Sequence, residues 1–293
     1  MTNNMKFGLI GHPIEHSLSP ALFKAGYDGR YPYDLIQTSD FEEAYTRFLE
    51  GYDGINVTAP FKEPAIKKAD ILSEECQAIG ATNLLVKTPE GIKAYNSDYL
   101  GVRLWIKKIS RLASLARNDN EVIARNDNEE IARNDNEGIA RNDNDEAGRD
   151  DKMPTILIVG LGGAGKAAAE AAKSLGCDVI LMNRTRYNEE IRPLSEFREA
   201  FKTADIVIYN LPIRLPELDL LDHTDFVGGK PMHILEANYR NPSFDEELLR
   251  KLKKLHPLLE YTRGERWLLL QALTGYEIFT GEKPDLEKMT ACL

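Results

Sequence analysis

The stretch Thr155–Leu175, TILIVGLGGAGKAAAEAAKSL, limits what this chain can fold into more than any other part of it. Ile156, Leu157, Ile158 and Val159 make a short unbroken apolar run, the pattern of a parallel strand covered on both faces. Glycines follow at Gly160, Gly162, Gly163 and Gly165, with Ala164 among them, and an alanine-rich segment of strong helix formers comes next. Strand, glycine turn and helix in that order let a dinucleotide pyrophosphate approach the backbone. Unpaired N–H groups and the positive end of the helix dipole receive it there. A second apolar run, Cys177–Met182, ends in Asn183-Arg184-Thr185, about where a ribose-reading residue belongs. An NAD site usually carries an acidic side chain at that place, for the 2′-hydroxyl. Arg184 is instead a permanent cation suited to a 2′-phosphate, so the expected cofactor is NADP(H).

The 293 residues suffice for one large or two medium domains, and 42% hydrophobic with 29% charged residues describes a globular protein soluble in water. A net charge of −10 argues against nucleic acid or an anionic membrane as the main partner. No apolar run approaches the ~20 residues that span a bilayer. The N-terminus, MTNNMKFGLIG, lacks the layout of a secretory signal, so the expected location is cytoplasmic. Cys76, Cys177 and Cys292 are odd in number and far apart, which reads as unpaired thiols in a reducing compartment. His12 and His16 flank Pro13 and precede Ser-Leu-Ser-Pro, a loop rather than a helical metal pair, so no metal is expected.

Ahead of the glycine turn, the pattern predicts strands at 6–11, 33–37 and 54–57 and helices at 20–27, 41–49, 64–69 and 73–79. A strand pair at 82–86 and 92–95 turns at Pro89-Glu90-Gly91, and a helix follows at 98–115. Ser19-Pro20 reads as the entry to the first helix, with serine as its cap. This alternation makes a mostly parallel sheet with helices on both faces. It has no glycine cluster of its own, and its short polar motifs lie at strand ends, where open α/β sheets bind ligands. Beyond the glycine turn come strands at 205–209 and 232–235, an amphipathic helix at 244–255, and a long apolar helix at 264–279 with Gln271 embedded in it. A buried amide needs a polar partner, which here is either internal backbone or a ligand.

Between the two halves, Ala-Arg-Asn-Asp-Asn recurs from Ala116, Ala124, Ala132 and Ala140, a period of eight residues. Eight matches neither the helix nor the heptad repeat, and Asn and Asp side chains compete with the helix backbone. Residues 116–151 are expected to be a disordered, dispensable insertion.

Several separate motifs, taken together, resemble the shikimate dehydrogenase family, the NADP-linked dehydrogenases of aromatic amino-acid and chorismate biosynthesis. They are Gly11-His-Pro-Ile-Glu-His-Ser-Leu-Ser-Pro20, Gly54-Ile-Asn-Val-Thr-Ala-Pro-Phe-Lys62, Gly80-Ala-Thr-Asn83, Asn96-Ser-Asp98, the glycine turn, Asn183-Arg-Thr185, and Gly264 through Gln271-Ala272. They stand in the family's order from Phe7 to about Pro284. The resemblance implies two α/β domains. Residues 1–98 with 264–293 would form the substrate-binding and catalytic domain, and residues 99–263 a Rossmann-type NADP domain interrupted by the insertion. It implies that Ser17 and Ser19 hold the carboxylate of 3-dehydroshikimate or shikimate, that Thr58, Asn83, Asp98 and Gln271 bind ring hydroxyls, and that Tyr239 lies near substrate and nicotinamide. Gly160, Gly162, Gly163, Ala164, Gly165, Asn183, Arg184, Thr185, Arg186 and Gly264 would serve the cofactor. Lys62 and Asp98 are the expected catalytic pair. Ketone reduction needs a proton donor beside the oxygen that gains charge, and a carboxylate can orient an ammonium for it.

This chain departs from the family's pattern at Phe23-Lys24 in the first motif. Asn188 stands where a second basic residue is often found, with Arg186 nearby, and Asn210-Leu211-Pro212 replaces Asn-Ala-Thr. The alternatives are an NAD-dependent quinate/shikimate dehydrogenase and a catalytically silent NADP-binding scaffold that uses the repeats. The expected partners are small molecules, with a homodimer as the candidate assembly.

Overall fold

The computed structural model describes residues 5–118 and 153–293. The first half builds a six-stranded sheet from β1 (Phe7–Gly11), β2 (Tyr33–Gln37), β3 (Gly54–Val57), β4 (Ile71–Leu72), β5 (Leu84–Thr88) and β6 (Gly91–Tyr95), in the order β2-β1-β3-β5-β6-β4. β1 runs parallel to β2 and β3, and β4 parallel to β6. β5 runs antiparallel to both its neighbours: to β6 through a hairpin that closes tightly at Thr88 and Gly91, and to β3 through a long-range pairing. One face of the sheet buries Ile10, Ile36, Phe48, Ile55, Phe61 and Leu85. The other buries an aromatic cluster in which Phe7 stacks on Phe279 and Phe23 meets the edge of Tyr276, both with ring centroids 4.8 Å apart. Phe23 is fully buried in this cluster, so the first departure from the family's pattern is a packing change.

The second half forms β7 (Thr155–Val159), β8 (Asp178–Met182), β9 (Ile191–Arg192), β10 (Ile206–Tyr209), β11 (Met232–Glu236) and β12 (Leu259–Thr262). The order is β12-β11-β10-β7-β8-β9 with every pairing parallel. That is the doubly wound dinucleotide-binding order, which reverses between β7 and β10 and opens a crevice at their C-terminal ends. The Gly163–Ser174 helix packs its alanines on the sheet, burying Ala168, Ala171 and Ala172 beside Ile156 and Ile158.

Two helices join the halves. Ser97–Asn118 lays Val102, Trp105, Ile106 and Ile109 on the second sheet. Gly264–Thr280 is apolar nearly all round because it serves two cores. Trp267 and Leu270 face the second sheet, while Leu269, Ala272, Tyr276 and Phe279 enter the aromatic cluster of the first.

Local expectations fail in three places for identifiable reasons. The helix predicted at 64–69 spans Lys62–Ile66, since a proline is tolerated in a first turn and Pro64 sits there. Ser19 does not cap the first helix: that helix starts at Ser19 with Leu18 as its cap residue, and Ser17 Oγ accepts the Ser19 N–H at 3.2 Å instead. The connecting helix continues to Asn118, so the first three residues of the repeat tract are helical, and the rest of the tract lies outside the described residues.

All three cysteines are free, and burial pushes the thiols of Cys76 and Cys177 up to about 11. Cys292 is exposed. A thiol-reactive dye at pH 8 is therefore expected to titrate one cysteine in the native protein and all three in denaturant. Fast native reaction of a second thiol would contradict this packing.

Candidate active site

Asn96-Ser97-Asp98 shows how the sequence builds the site. Asn96 Oδ1 accepts the Tyr99 N–H at 3.1 Å and so caps the connecting helix. Its Nδ2 donates to the Ala81 carbonyl at 3.1 Å, tying the helix start to the loop before β5. Ser97 then meets Asn83: its N–H donates to Asn83 Oδ1 at 2.7 Å, and its Oγ accepts from Asn83 Nδ2 at 3.0 Å. Asp98 lies in the helix's first turn, where a carboxylate complements the dipole, and the Trp267 indole N–H donates to its backbone carbonyl at 2.9 Å.

The Asp98 carboxylate accepts from Lys62 Nζ, the first residue of the short helix after β3. Their side chains are only 9% and 20% exposed, which separates this pair from the solvent-screened ion pairs elsewhere on the surface. A Cβ built on Gly163 would stand 3.3 Å from Lys62 Cδ, so the lysine of one half lies against the glycine turn of the other. Beside it, Lys166 of the nucleotide helix meets Glu63 at 3.2 Å across the same gap.

Lys62 and Asp98 line a cavity of about 280 Å³, a size suited to a single-ring ligand. Ser17, Ser19, Thr58, Asn83, Tyr239 and Gln271, the remaining residues expected to meet substrate, line the same cavity. Gln271 Oε1 accepts from Asn83 Nδ2 at 3.4 Å, so the amide embedded in the apolar helix has a protein partner as well as a face on the cavity. Ser17 Oγ and Ser19 Oγ are 3.1 Å apart. The Tyr276 hydroxyl donates to the Ser19 carbonyl at 3.0 Å, and burial raises its pKa, so it stays a neutral donor.

Sequence reasoning missed Asn56, Ser97, Tyr276 and Arg240, which also line the cavity. Ser97 sat inside a quoted motif, and Tyr276 is five positions beyond Gln271 on the same helix. Asn56 likewise sat inside a quoted motif, between Gly54 and Lys62, and nothing in the sequence pointed to Arg240.

The residues expected to bind cofactor, apart from Gly264, gather at the C-terminal ends of β7 and β8. Gly160 adopts φ +92°, which only glycine takes readily, and Gly165 passes so close that a Cβ there would lie 1.9 Å from the Gly160 carbonyl oxygen. Gly162 has open space around it. Asn183 braces the turn: its Oδ1 accepts the Leu161 N–H at 3.2 Å, and its Nδ2 donates to the Thr185 carbonyl at 3.0 Å. Arg184 and Thr185 are exposed. Arg186 is partly committed, with Nε donating to the Ile191 carbonyl at 2.7 Å. Gly264 has a reason within the protein, because a Cβ there would stand 2.6 Å from the Ala237 carbonyl oxygen. Asn210 Oδ1 is buried without a partner among the described residues, at the end of β10 beside the turn. A glycine turn packed onto the start of its helix, an open Gly162 and an exposed cation at the β8 end are features suited to a phosphorylated dinucleotide.

Fold and cleft together define a two-domain dehydrogenase in which a substrate lobe faces a Rossmann-type nucleotide lobe. Residues 9–85 match the shikimate dehydrogenase substrate binding domain, and residues 115–256 match the NAD binding domain of D-isomer specific 2-hydroxyacid dehydrogenases. Along most of its length the chain is similar to the shikimate dehydrogenases. It is 28% identical to the NADP(+) shikimate dehydrogenase of Bacillus licheniformis, over 97% of this chain and 94% of that one. Among solved structures, the shikimate 5-dehydrogenase of Thermus thermophilus in complex with NADP(H) and shikimate superposes with a TM-score of 0.69 at 24% identity, covering 98% of both chains. A quinate dehydrogenase from Corynebacterium glutamicum in complex with NAD gives 0.71 at 19% identity, over 99% of this chain and 98% of that one. Both likenesses are of fold.

Proposed function

We propose that this protein catalyses the reversible NADPH-dependent reduction of 3-dehydroshikimate to shikimate, on the route to chorismate and the aromatic amino acids. The observation that carries the reading is the Lys62–Asp98 pair, which shares a small polar cavity with Ser17 and Ser19 and abuts the glycine turn of the nucleotide lobe. The glycine turn, Arg184, Thr185 and Arg186 would hold NADPH, which supplies hydride to the ring ketone carbon. Lys62 donates a proton to the ketone oxygen as that oxygen gains negative charge, and Asp98 keeps the ammonium aimed and balances its charge. In the reverse direction the same lysine takes the proton from the hydroxyl. Ser17 and Ser19 hold the carboxylate, and Thr58, Asn83 and Gln271 read the ring hydroxyls beside Tyr239. The division into residues 1–98 with 264–293 and residues 99–263 belongs to the same proposal, as do cytoplasmic residence and a homodimer. Among the described residues no helix is long and apolar enough to cross a membrane.

The test is loss of NADPH absorbance on adding 3-dehydroshikimate to the purified full chain. Steady consumption that depends on both compounds is expected. Absence of turnover, or a kcat/KM for quinate with NAD equal to that for shikimate with NADP, would overturn the assignment.

A further inference from the structure

The cavity holds three charged side chains, and two of them, Lys62 and Asp98, cancel each other. The third is Arg240, and it leaves the cavity with one net positive charge. The larger arginine clusters elsewhere are paired: Arg30 with Glu282, Arg198 with Asp222 and Asp225, and Arg214 with Asp219 and Asp245. The Arg240 guanidinium makes no ion pair among the described residues, and its one side-chain neighbour given by the structure is the Tyr239 ring, 5.9 Å from Cζ to centroid.

The loop that carries it is braced from below. Glu236, fully buried at the end of β11, accepts the N–H groups of Ser243 at 2.5 Å and Phe244 at 3.2 Å, and the Tyr261 hydroxyl at 2.8 Å. Above it, Asn238 Oδ1 accepts the N–H groups of Arg240 at 3.3 Å and Asn241 at 3.2 Å, while Asn238 Nδ2 donates to the Asn241 carbonyl at 2.8 Å. Two polar side chains thus fix the backbone of a short loop whose own protruding side chains are Tyr239 and Arg240. A loop held this firmly presents its side chains in defined positions.

We propose that Arg240 is a substrate-specificity residue: a cation delivered by the nucleotide lobe that pairs with the anionic group of a monocarboxylate in the cavity. The inference rests on the function proposed above and names a contact that function did not include. The protein as a whole carries −10, which repels an approaching anion, so one unpaired cation at the cavity is where attraction can arise. A charge-assisted contact of this kind acts on binding of the carboxylate and not on proton transfer.

The experiment compares wild type with Arg240→Gln and Arg240→Lys, using shikimate and NADP at low and high salt. Arg240→Gln is expected to raise KM for shikimate about tenfold with kcat and the KM for NADP nearly unchanged, and Arg240→Lys to recover part of the loss. Salt screens exposed charges, so the gap between wild type and Arg240→Gln should narrow to about threefold or less at 0.5 M salt. Calorimetric titration with shikimate alone should show the same weakening without turnover. Equal KM values, a loss confined to kcat, or a gap indifferent to salt would overturn the role of Arg240. Failure of wild type to turn over shikimate would instead sink the underlying functional reading.

Discussion

Replacing Lys62 by methionine is expected to lower turnover of 3-dehydroshikimate about 10²–10⁴-fold while NADP affinity stays near the wild-type value. Methionine keeps most of the length and the apolar stem of lysine but has no proton to give. The variant also strands the Asp98 carboxylate, which is 9% exposed and loses its cationic partner. An unsatisfied group of that kind costs about 1–3 kcal/mol, so a drop in stability is part of the expected result. The double variant Lys62→Met/Asp98→Asn separates the two effects. Neutralising the carboxylate should restore much of the lost stability without restoring turnover. If the double variant regained activity, or if Lys62→Met alone stayed within a few-fold of wild type, lysine would not be the proton donor. Asp98→Asn alone should also lose most of its turnover, because the ammonium then has no charged partner to aim it.

The second large effect is expected at Gly165. A Cβ there would lie 1.9 Å from the Gly160 carbonyl oxygen and 2.9 Å from its carbonyl carbon, both backbone atoms that no rotamer change can move. Gly165→Ala must therefore push the Gly163–Ser174 helix away from the end of β7, at a cost of about 3 kcal/mol or more. For a chain of this size that corresponds to a melting temperature lower by about 6–12 °C. Cofactor affinity should fall with it, because the N–H groups at the helix start move off their positions. Should Gly165→Ala fail to accumulate as folded protein, Gly162→Ala still reads the binding half of the argument. Its surroundings are open, so it should melt like wild type yet bind NADP more weakly, with a methyl group where the pyrophosphate approaches. Wild-type melting and cofactor affinity in Gly165→Ala would remove the close-approach account of this turn.

The nucleotide lobe was readable because its signals are local. An apolar run, spaced glycines and alanines dictate strand, turn and helix with little help from the rest of the chain. β9 and β12 escaped notice for the opposite reason: Ile191–Arg192 is too short for any periodicity, and LEYT at Leu259–Thr262 becomes a strand only through pairing with β11. The antiparallel seating of β5 beside β3 is likewise a long-range pairing that no window of sequence contains. In the site, residues within family-like motifs could be listed in advance. Asn83 shows the limit of such a list, since its amide is also the brace that holds Ser97 and the start of the connecting helix. Arg240 could not be found from sequence, because its meaning depends on the missing counter-ion and on a loop tied down by Glu236 and Asn238.

The Gly264–Thr280 helix has a consequence for how the protein is made. Its buried side chains complete the interiors of both lobes, so neither lobe has its full hydrophobic complement until residues 264–280 have left the ribosome. Translation that stopped before this segment would release a polypeptide with two greasy surfaces open at once, a substrate for proteases and aggregation rather than half an enzyme.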